Sequence, residues 1–265
     1  MIFCAFFVDK AIELLYNGTV KHSEDSMKIK AVLFDLDGTL LPMDQDTFIK
    51  AYLGGLVGLL SPYGYKAEDV ANALWTSTRA MMKNDGSMTN ESRFWQSFSE
   101  ILGSDVRRHE AELEQFYKTD FQKVSGVCTH TPRAKEIVDL VKSAGLRAIL
   151  ATSPLFPAIA TESRIRWAGL TPDDFELYTT YENSIYCKPN PMYYKKLLEE
   201  LSLNPSECVM IGNDVGDDMI AESLGIKCFL LTDCLINRSG RDIDCYTHGG
   251  YDALFDFIKE ITDEN

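Results

Sequence analysis

The chain has 265 residues, 45% of them hydrophobic and 25% charged, which bounds it to one or two ordinary globular domains with a substantial core. A formal net charge of −14 argues against a duplex nucleic-acid binder, which needs a basic footprint; an anionic small substrate would require locally concentrated positive charge. The seven cysteines are scattered without C-x-x-C or zinc-type spacing and read as reduced thiols of a cytoplasmic protein.

The N-terminal run MIFCAFFV is apolar, but it is too short to span a membrane and lacks the basic n-region of a signal peptide. No membrane association is expected. NGTVKHSEDSMKIK follows as a polar connector, so residues 1–26 are expected to be an extension, with a short helix through VDKAIELLY. The sequon-like Asn17-Gly18-Thr19 is a chance match in a cytoplasmic chain. The first strand is Ala31 to Phe34, a short apolar run that ends at an Asp-Gly turn. Helix-like patterns then fill about 45–124: DTFIKAYLGGLVGLL, AEDVANALWTSTRAMMKN, TNESRFWQSFSEIL and DVRRHEAELEQFYKTDFQKV. The breaks SPYGYK, NDGSM and LGSD are turn chemistry.

From Thr131 helices alternate with strands. TPRAKEIVDLVKSAG leads to LRAILAT, PAIATESRIRWAG towards FELYTTYE, NPMYYKKLLEELSL to ECVMIGND, and GDDMIAESLG to KCFLLTD. This alternation predicts an α/β fold, a doubly wound, Rossmann-like parallel sheet. The helical block is expected to be an insertion, a cap domain over residues 44–129. The sheet domain would comprise residues 27–43 and 130–265.

Ligands of such sheets bind outside the carboxyl ends of the strands. Asp35 and Asp37 follow the first strand, Thr152 and Ser153 follow LRAIL, Lys188 lies in CKPNP, and Asn213, Asp214, Asp217 and Asp218 follow CVMIG. Asp35 and Asp37 can converge on one small volume, which two like charges tolerate if one keeps a proton or a cation sits between them. Taken alone, each residue has a plainer explanation. An aspartate pair in a turn is ordinary loop chemistry, Thr152 could cap a helix, and Lys188 could be a surface lysine. The acids of NDVGDD could cap the helix after them, which accounts for Asp217 well enough to leave it out of the site. Arg79, Lys83 and Arg93 read as a solvated helix face. GGLVGLL lacks the ending of a P-loop, and Trp75, Phe94, Trp95 and Phe98 read as cap core.

Together, D-x-D-G-T, a Thr after a hydrophobic strand, a Lys and an acidic D-x-x-x-D cluster resemble, in order, the motifs of the haloacid dehalogenase-like phosphatase superfamily. The resemblance runs from about Lys28 to the C-terminal helix, and the insertion resembles that superfamily's helical C1-type cap. It implies that Asp35 is the nucleophile, forming an aspartyl-phosphate, and that Asp37 is acid and base for leaving group and water. It further implies Mg2+ on the Asp35 side chain, the Asp37 backbone carbonyl and Asp214. Thr152 would hold phosphoryl oxygens, with Ser153 offering its backbone N–H, and Lys188 would neutralise charge. Asp218 would support the metal or orient Lys188.

The expected activity is hydrolysis of a small phosphorylated metabolite. A sugar phosphomutase on the same scaffold is the alternative, and a non-catalytic phospho-acceptor module is disfavoured by Asp37 and by the insertion. Substrate contacts are expected from SPYGYK and NDGSM. Oligomeric state cannot be read from the sequence.

Overall fold

The computed structural model describes residues 28–263; the expected N-terminal extension, its helix and the Asn17 sequon lie outside the described residues. After β1 (Ala31–Phe34) the chain enters the helical insertion, with α1 (Gln45–Leu60), α2 (Ala67–Met82), α3 (Asn90–Leu102) and α4 (Glu110–Lys118). It then alternates: α5 (Pro132–Ser143), β2 (Arg147–Leu150), α6 (Ala158–Trp167), β3 (Leu177–Tyr178), α7 (Pro191–Leu201), β4 (Cys208–Gly212), β5 (Lys227–Leu231), β6 (Thr247–Gly249) and α8 (Tyr251–Asp263).

The strands form one six-stranded sheet in the order β3-β2-β1-β4-β5-β6, and every pairing is parallel. β1 shows why both faces must be covered. Val32 and Phe34 pack into one apolar cluster with α5, α6 and α8, while Ala31 and Leu33 pack into a second with α7 and the 3-10 segment Met219–Leu224. Alternate residues of one strand thus feed opposite faces, as expected of a strand buried on both sides. The first cluster continues without a break into Phe48, Tyr52, Phe98 and Phe116 of the inserted helices. The insertion therefore packs on the sheet domain through apolar contact.

Local chemistry places the inserted helices. Asp44 caps α1 by accepting from Thr47 N at 2.9 Å, and Thr89 caps α3 by accepting from Ser92 N at 3.2 Å, each satisfying an otherwise orphaned first-turn donor. The chain leaves and returns side by side. Met43 and Cys128 form an antiparallel bridge, and Thr129 N donates to Pro42 O at 2.8 Å.

Two expected helices differ from the sequence pattern. DVRRHEAELEQFYKTDFQKV divides into the 3-10 segment Ser104–His109, α4, and the 3-10 segment Asp120–Val127. The break is at Thr119, with φ −123° and ψ −83°, whose Oγ1 donates to Gln115 O at 2.9 Å. Such back-bonding lets Phe121 and Val124 turn inward. GDDMIAESLG forms only the 3-10 turns Met219–Leu224, because Asp218 before it is tied into a buried ion pair and Gly225 after it is left-handed. The short edge strand β6 carries no apolar alternation and was not anticipated. Its place comes from pairing with β5. Among the described residues, no helix is long and apolar enough to cross a membrane, and the described cysteines are unpaired.

Candidate active site

The strand order changes direction at β1 and β4, and ligands collect at such a switch point in open α/β sheets. Pairing runs one residue past β1: Asp35 N donates to Ile211 O at 2.9 Å. The chain then turns tightly, with Gly38 N donating to Leu41 O at 2.8 Å and Thr39 N to Leu36 O at 3.2 Å. Gly38 has φ +90°, and a Cβ there would lie 2.3 Å from Asn213 Nδ2. Glycine is required both by the conformation and by the close approach of the β4 loop. Thr39 Oγ1 donates to Asn213 Oδ1 at 3.0 Å, and Asn213 Nδ2 donates to Cys234 O at 2.7 Å. The loops after β1, β4 and β5 are thereby laced together.

Lys188 is the buried centre of the charge arrangement. Its Nζ lies 2.9 Å from Asp35 Oδ1 and 2.6 Å from Asp218 Oδ1, and only 1% of the residue is exposed. Burial alone would push this ammonium towards neutrality, but Asp218 and Asp35 outweigh it and hold Lys188 protonated well above the ordinary lysine range. Burial raises Asp218 to about 7 against the opposing pull of Lys188, and it raises Asp35 in the same way. The other Asp218 oxygen accepts from Asp214 N at 2.9 Å. Gly212 makes this possible, since a Cβ there would sit 2.2 Å from the Asp218 carboxyl carbon.

Asp214 Oδ1 accepts from Gly216 N at 2.7 Å and Asp217 N at 3.0 Å, and its Oδ2 lies 3.7 Å from Arg238 Nη1. Each key carboxylate thus has one oxygen tied down. For Asp35 it is Oδ1, and the second oxygen meets only the Thr39 hydroxyl, at 3.4 Å. Asp35 Oδ2 and Asp214 Oδ2, held only loosely by the Thr39 hydroxyl at 3.4 Å and Arg238 at 3.7 Å, offer a hard, incomplete oxygen set. Among the described residues there is no cluster of three or more acidic, histidine or cysteine side chains fit to enclose a metal. An ion here would keep water or substrate oxygens, as Mg2+ habitually does.

Asp37 is held differently. One of its oxygens pairs with Arg164 of α6, which is fully buried and lies 4.3 Å over the Phe156 ring. Asp37 Oδ1 is buried without a hydrogen-bond partner among the described residues. Burial raises the Asp37 carboxyl, and Arg164 opposes that rise.

Asp35, Asp37, Thr152, Ser153, Lys188, Asp214 and Asp218 all line one cavity of about 750 Å³ between the strand ends and the inserted helices. The set singled out from sequence is therefore brought to one place. Asp217 lines it too, with its carboxyl raised to about 6 by burial and by Asp214 and Asp218. Asn213 is named from sequence only as following CVMIG, with no role, and Thr39, Arg164 and Arg238 are given none. The first two adjoin quoted motifs, whereas the two arginines carry no local signal.

Two expectations need correction. SPYGYK and NDGSM do not line the cavity. NDGSM is instead tied to the sheet domain, Asp85 O accepting from Tyr186 OH at 3.2 Å, and helix faces supply the lining. Trp75, Phe94, Trp95 and Phe98 all border the cavity, and Trp75 is 44% exposed, so it is not cap core. One helical period presents both a packed stripe and a cavity-facing stripe, which periodicity cannot separate. Arg79, Lys83 and Arg93 stay off the cavity; Arg79 and Lys83 are exposed as expected of a solvated face, whereas Arg93 is half-buried.

A family model of haloacid dehalogenase-like hydrolases matches residues 29–225. The chain belongs to that family. It is 24% identical over 200 residues to the pyrophosphatase PpaX of Bacillus velezensis, covering 76% of this chain and 82% of that protein. Among solved structures, it resembles a HAD phosphatase from Thermococcus onnurineus, with a TM-score of 0.56 and 19% identity over 87% of this chain and 98% of that one. It also resembles a chain from Thermotoga maritima provisionally named a β-phosphoglucomutase, with a TM-score of 0.53 and 21% identity over 88% of this chain and 99% of that one. At such identities these structures speak for the fold.

Proposed function

We propose that the protein is a magnesium-dependent phosphatase that hydrolyses a small phosphomonoester through a phosphorylated Asp35. The observation that carries this reading is the division of labour at the end of β1. Lys188 fixes one oxygen of Asp35, while Asp37, on the same turn, keeps a buried oxygen without a hydrogen-bond partner. The first carboxylate is held for attack, and the second is positioned to pass a proton. Membership in a hydrolase family and a relative named as a pyrophosphatase support phosphoryl chemistry.

In the first step an Asp35 oxygen attacks phosphorus and the ester P–O bond breaks. Asp37 gives its proton to the departing alkoxide, so the alcohol leaves neutral. In the second, Asp37 takes a proton from water as that oxygen attacks phosphorus. The Asp35–phosphorus bond breaks, and inorganic phosphate and the Asp35 carboxylate result. Lys188 stabilises charge on nucleophile and phosphoryl oxygens, and Thr152 and the Ser153 backbone N–H, both at the cavity, would donate to the latter. Asp218 orients Lys188. Asp35, Asp214 and the Asp37 carbonyl would hold Mg2+, which supplies charge neutralisation where carboxylate and phosphate oxygens meet.

The test is Asp35→Asn. The amide keeps the shape but not the nucleophilicity, so phosphate release should fall by at least about a thousandfold with an unchanged melting curve. Retention of more than about a tenth of the activity would remove Asp35 as nucleophile. Measuring inorganic phosphate also separates hydrolysis from a mutase reaction, which would return the phosphoryl group to a second hydroxyl of the substrate.

A further inference from the structure

The cavity is far larger than a phosphoryl group needs. At about 750 Å³ it falls within the range of pockets that hold drug-sized molecules. Lys188 and Arg238 are the basic side chains of its lining, and both sit beside the carboxylates already described, Lys188 on Asp35 and Asp218 and Arg238 near Asp214. Much of the rest of the wall is apolar and aromatic. Tyr52, Trp75, Phe94 and Trp95 come from α1–α3, and Phe156 and Tyr181 come from the sheet domain.

Most of these rings touch in two groups. Tyr52 lies 5.1 Å from Phe156, and Phe94 lies 5.8 Å from Trp95 and 6.2 Å from Tyr181. Rings at such spacing accept another ring edge-on or offset. The polar groups on this part of the wall have the sign opposite to that of a phosphate site. Glu91, Glu110, Glu114 and Glu182 line it, and burial together with Glu182 raises the Glu91 carboxyl. Two of these glutamates are already paired with cations, Glu110 with Arg107, which lies over the Trp95 ring, and Glu114 with Lys118, so the rings remain the feature of this wall that a ligand can fill.

Resting on the phosphatase reading above, we infer that the substrate is the phosphomonoester of a bulky, ring-bearing alcohol. A neutral or cationic ring system fills the cavity and faces the glutamates without repulsion.

The decisive comparison pairs two alkyl phosphates of similar leaving-group acidity, the naphthylethyl and ethyl esters, so that chemical activation does not mimic recognition. 2-(2-Naphthyl)ethyl phosphate, ethyl phosphate, phosphoglycolate and pyrophosphate are assayed for phosphate release with Mg2+ present. The naphthyl ester should exceed each of the others in kcat/KM by at least about tenfold, since burying a ring contributes at least that much. Trp75→Ala, at a partly exposed site where folding is not at stake, should shrink the naphthyl-to-ethyl ratio at least about threefold. A naphthyl preference below about tenfold, or a ratio that Trp75→Ala changes by less than threefold, overturns the inference while ethyl phosphate turnover keeps the phosphatase reading. Release from none of the compounds removes both.

Discussion

Asp37 shares its carboxyl with an arginine that no sequence motif announces. Arg164 holds one oxygen, and on the proposed mechanism the other serves the leaving group. Asp37→Asn removes the transferable proton. Phosphorylation of Asp35 should then slow by about a hundredfold or more for an alkyl phosphate, but much less for p-nitrophenyl phosphate, whose phenolate departs without a proton. Single-turnover rapid quench measures that step apart from hydrolysis of the phosphorylated enzyme; equal losses on both substrates would reduce Asp37 to a turn residue. Arg164 itself is a buried charge with a buried partner. Arg164→Met strands Asp37 and should cost about 3 kcal/mol, read as a lowered urea midpoint at unchanged slope.

At the scale of elements, the site depends on how closely the ends of β1 and β4 approach. Gly212 is the last residue of β4, and its missing Cβ is the space that Asp218 occupies. Asp218 in turn holds Lys188, and Lys188 holds Asp35. Gly212→Ala should therefore push Asp218 aside and act at a distance on the nucleophile. We expect turnover to fall by about a hundredfold, with a loss of stability of about 2 kcal/mol from overpacking. A fully active Gly212→Ala enzyme would show that the Asp218–Lys188 contact does not position Asp35.

For the molecule as a whole, the sheet domain and the inserted helices meet over a cavity whose floor concentrates negative charge on a protein already at −14. On the proposed reading Asp35 and Asp214 face a phosphate dianion, so turnover should vanish in EDTA and return with Mg2+. Ca2+ should inhibit, because its longer and looser coordination misplaces the nucleophile. Full activity in EDTA would defeat the metal assignment. The paired segments around Met43 and Cys128 are where the helices could swing over the substrate. Hydrogen exchange with Mg2+ and fluoroberyllate should show protection at 34–40 and changed rates at 42–46 and 125–131. Unchanged exchange at both crossings would rule out lid movement.

Much of this was written locally in the chain. The apolar run before Asp35, the Asp-Gly turn and the alternation of helices and strands beyond Thr131 are short-range signals, set by backbone sterics and burial periodicity, and they suffice for a parallel sheet with polar groups at its carboxyl edge. They also carry the motif residues Asp35, Asp37, Thr152, Lys188, Asp214 and Asp218. What they cannot carry is any relation between segments that depends on where the chain returns. Arg164 reads as one more polar residue of α6 until α6 packs beside the β1 turn. Arg238 is a loop arginine until that loop meets Asp214. Trp75 and Trp95 share a helical pattern that would suit either a core or a cavity wall, and only the closing of the inserted helices over the sheet leaves Trp95 buried and Trp75 partly open. The chemistry at the strand ends follows from local sequence; the shape and charge of the space above it arise from the packing of distant segments, which no local pattern encodes.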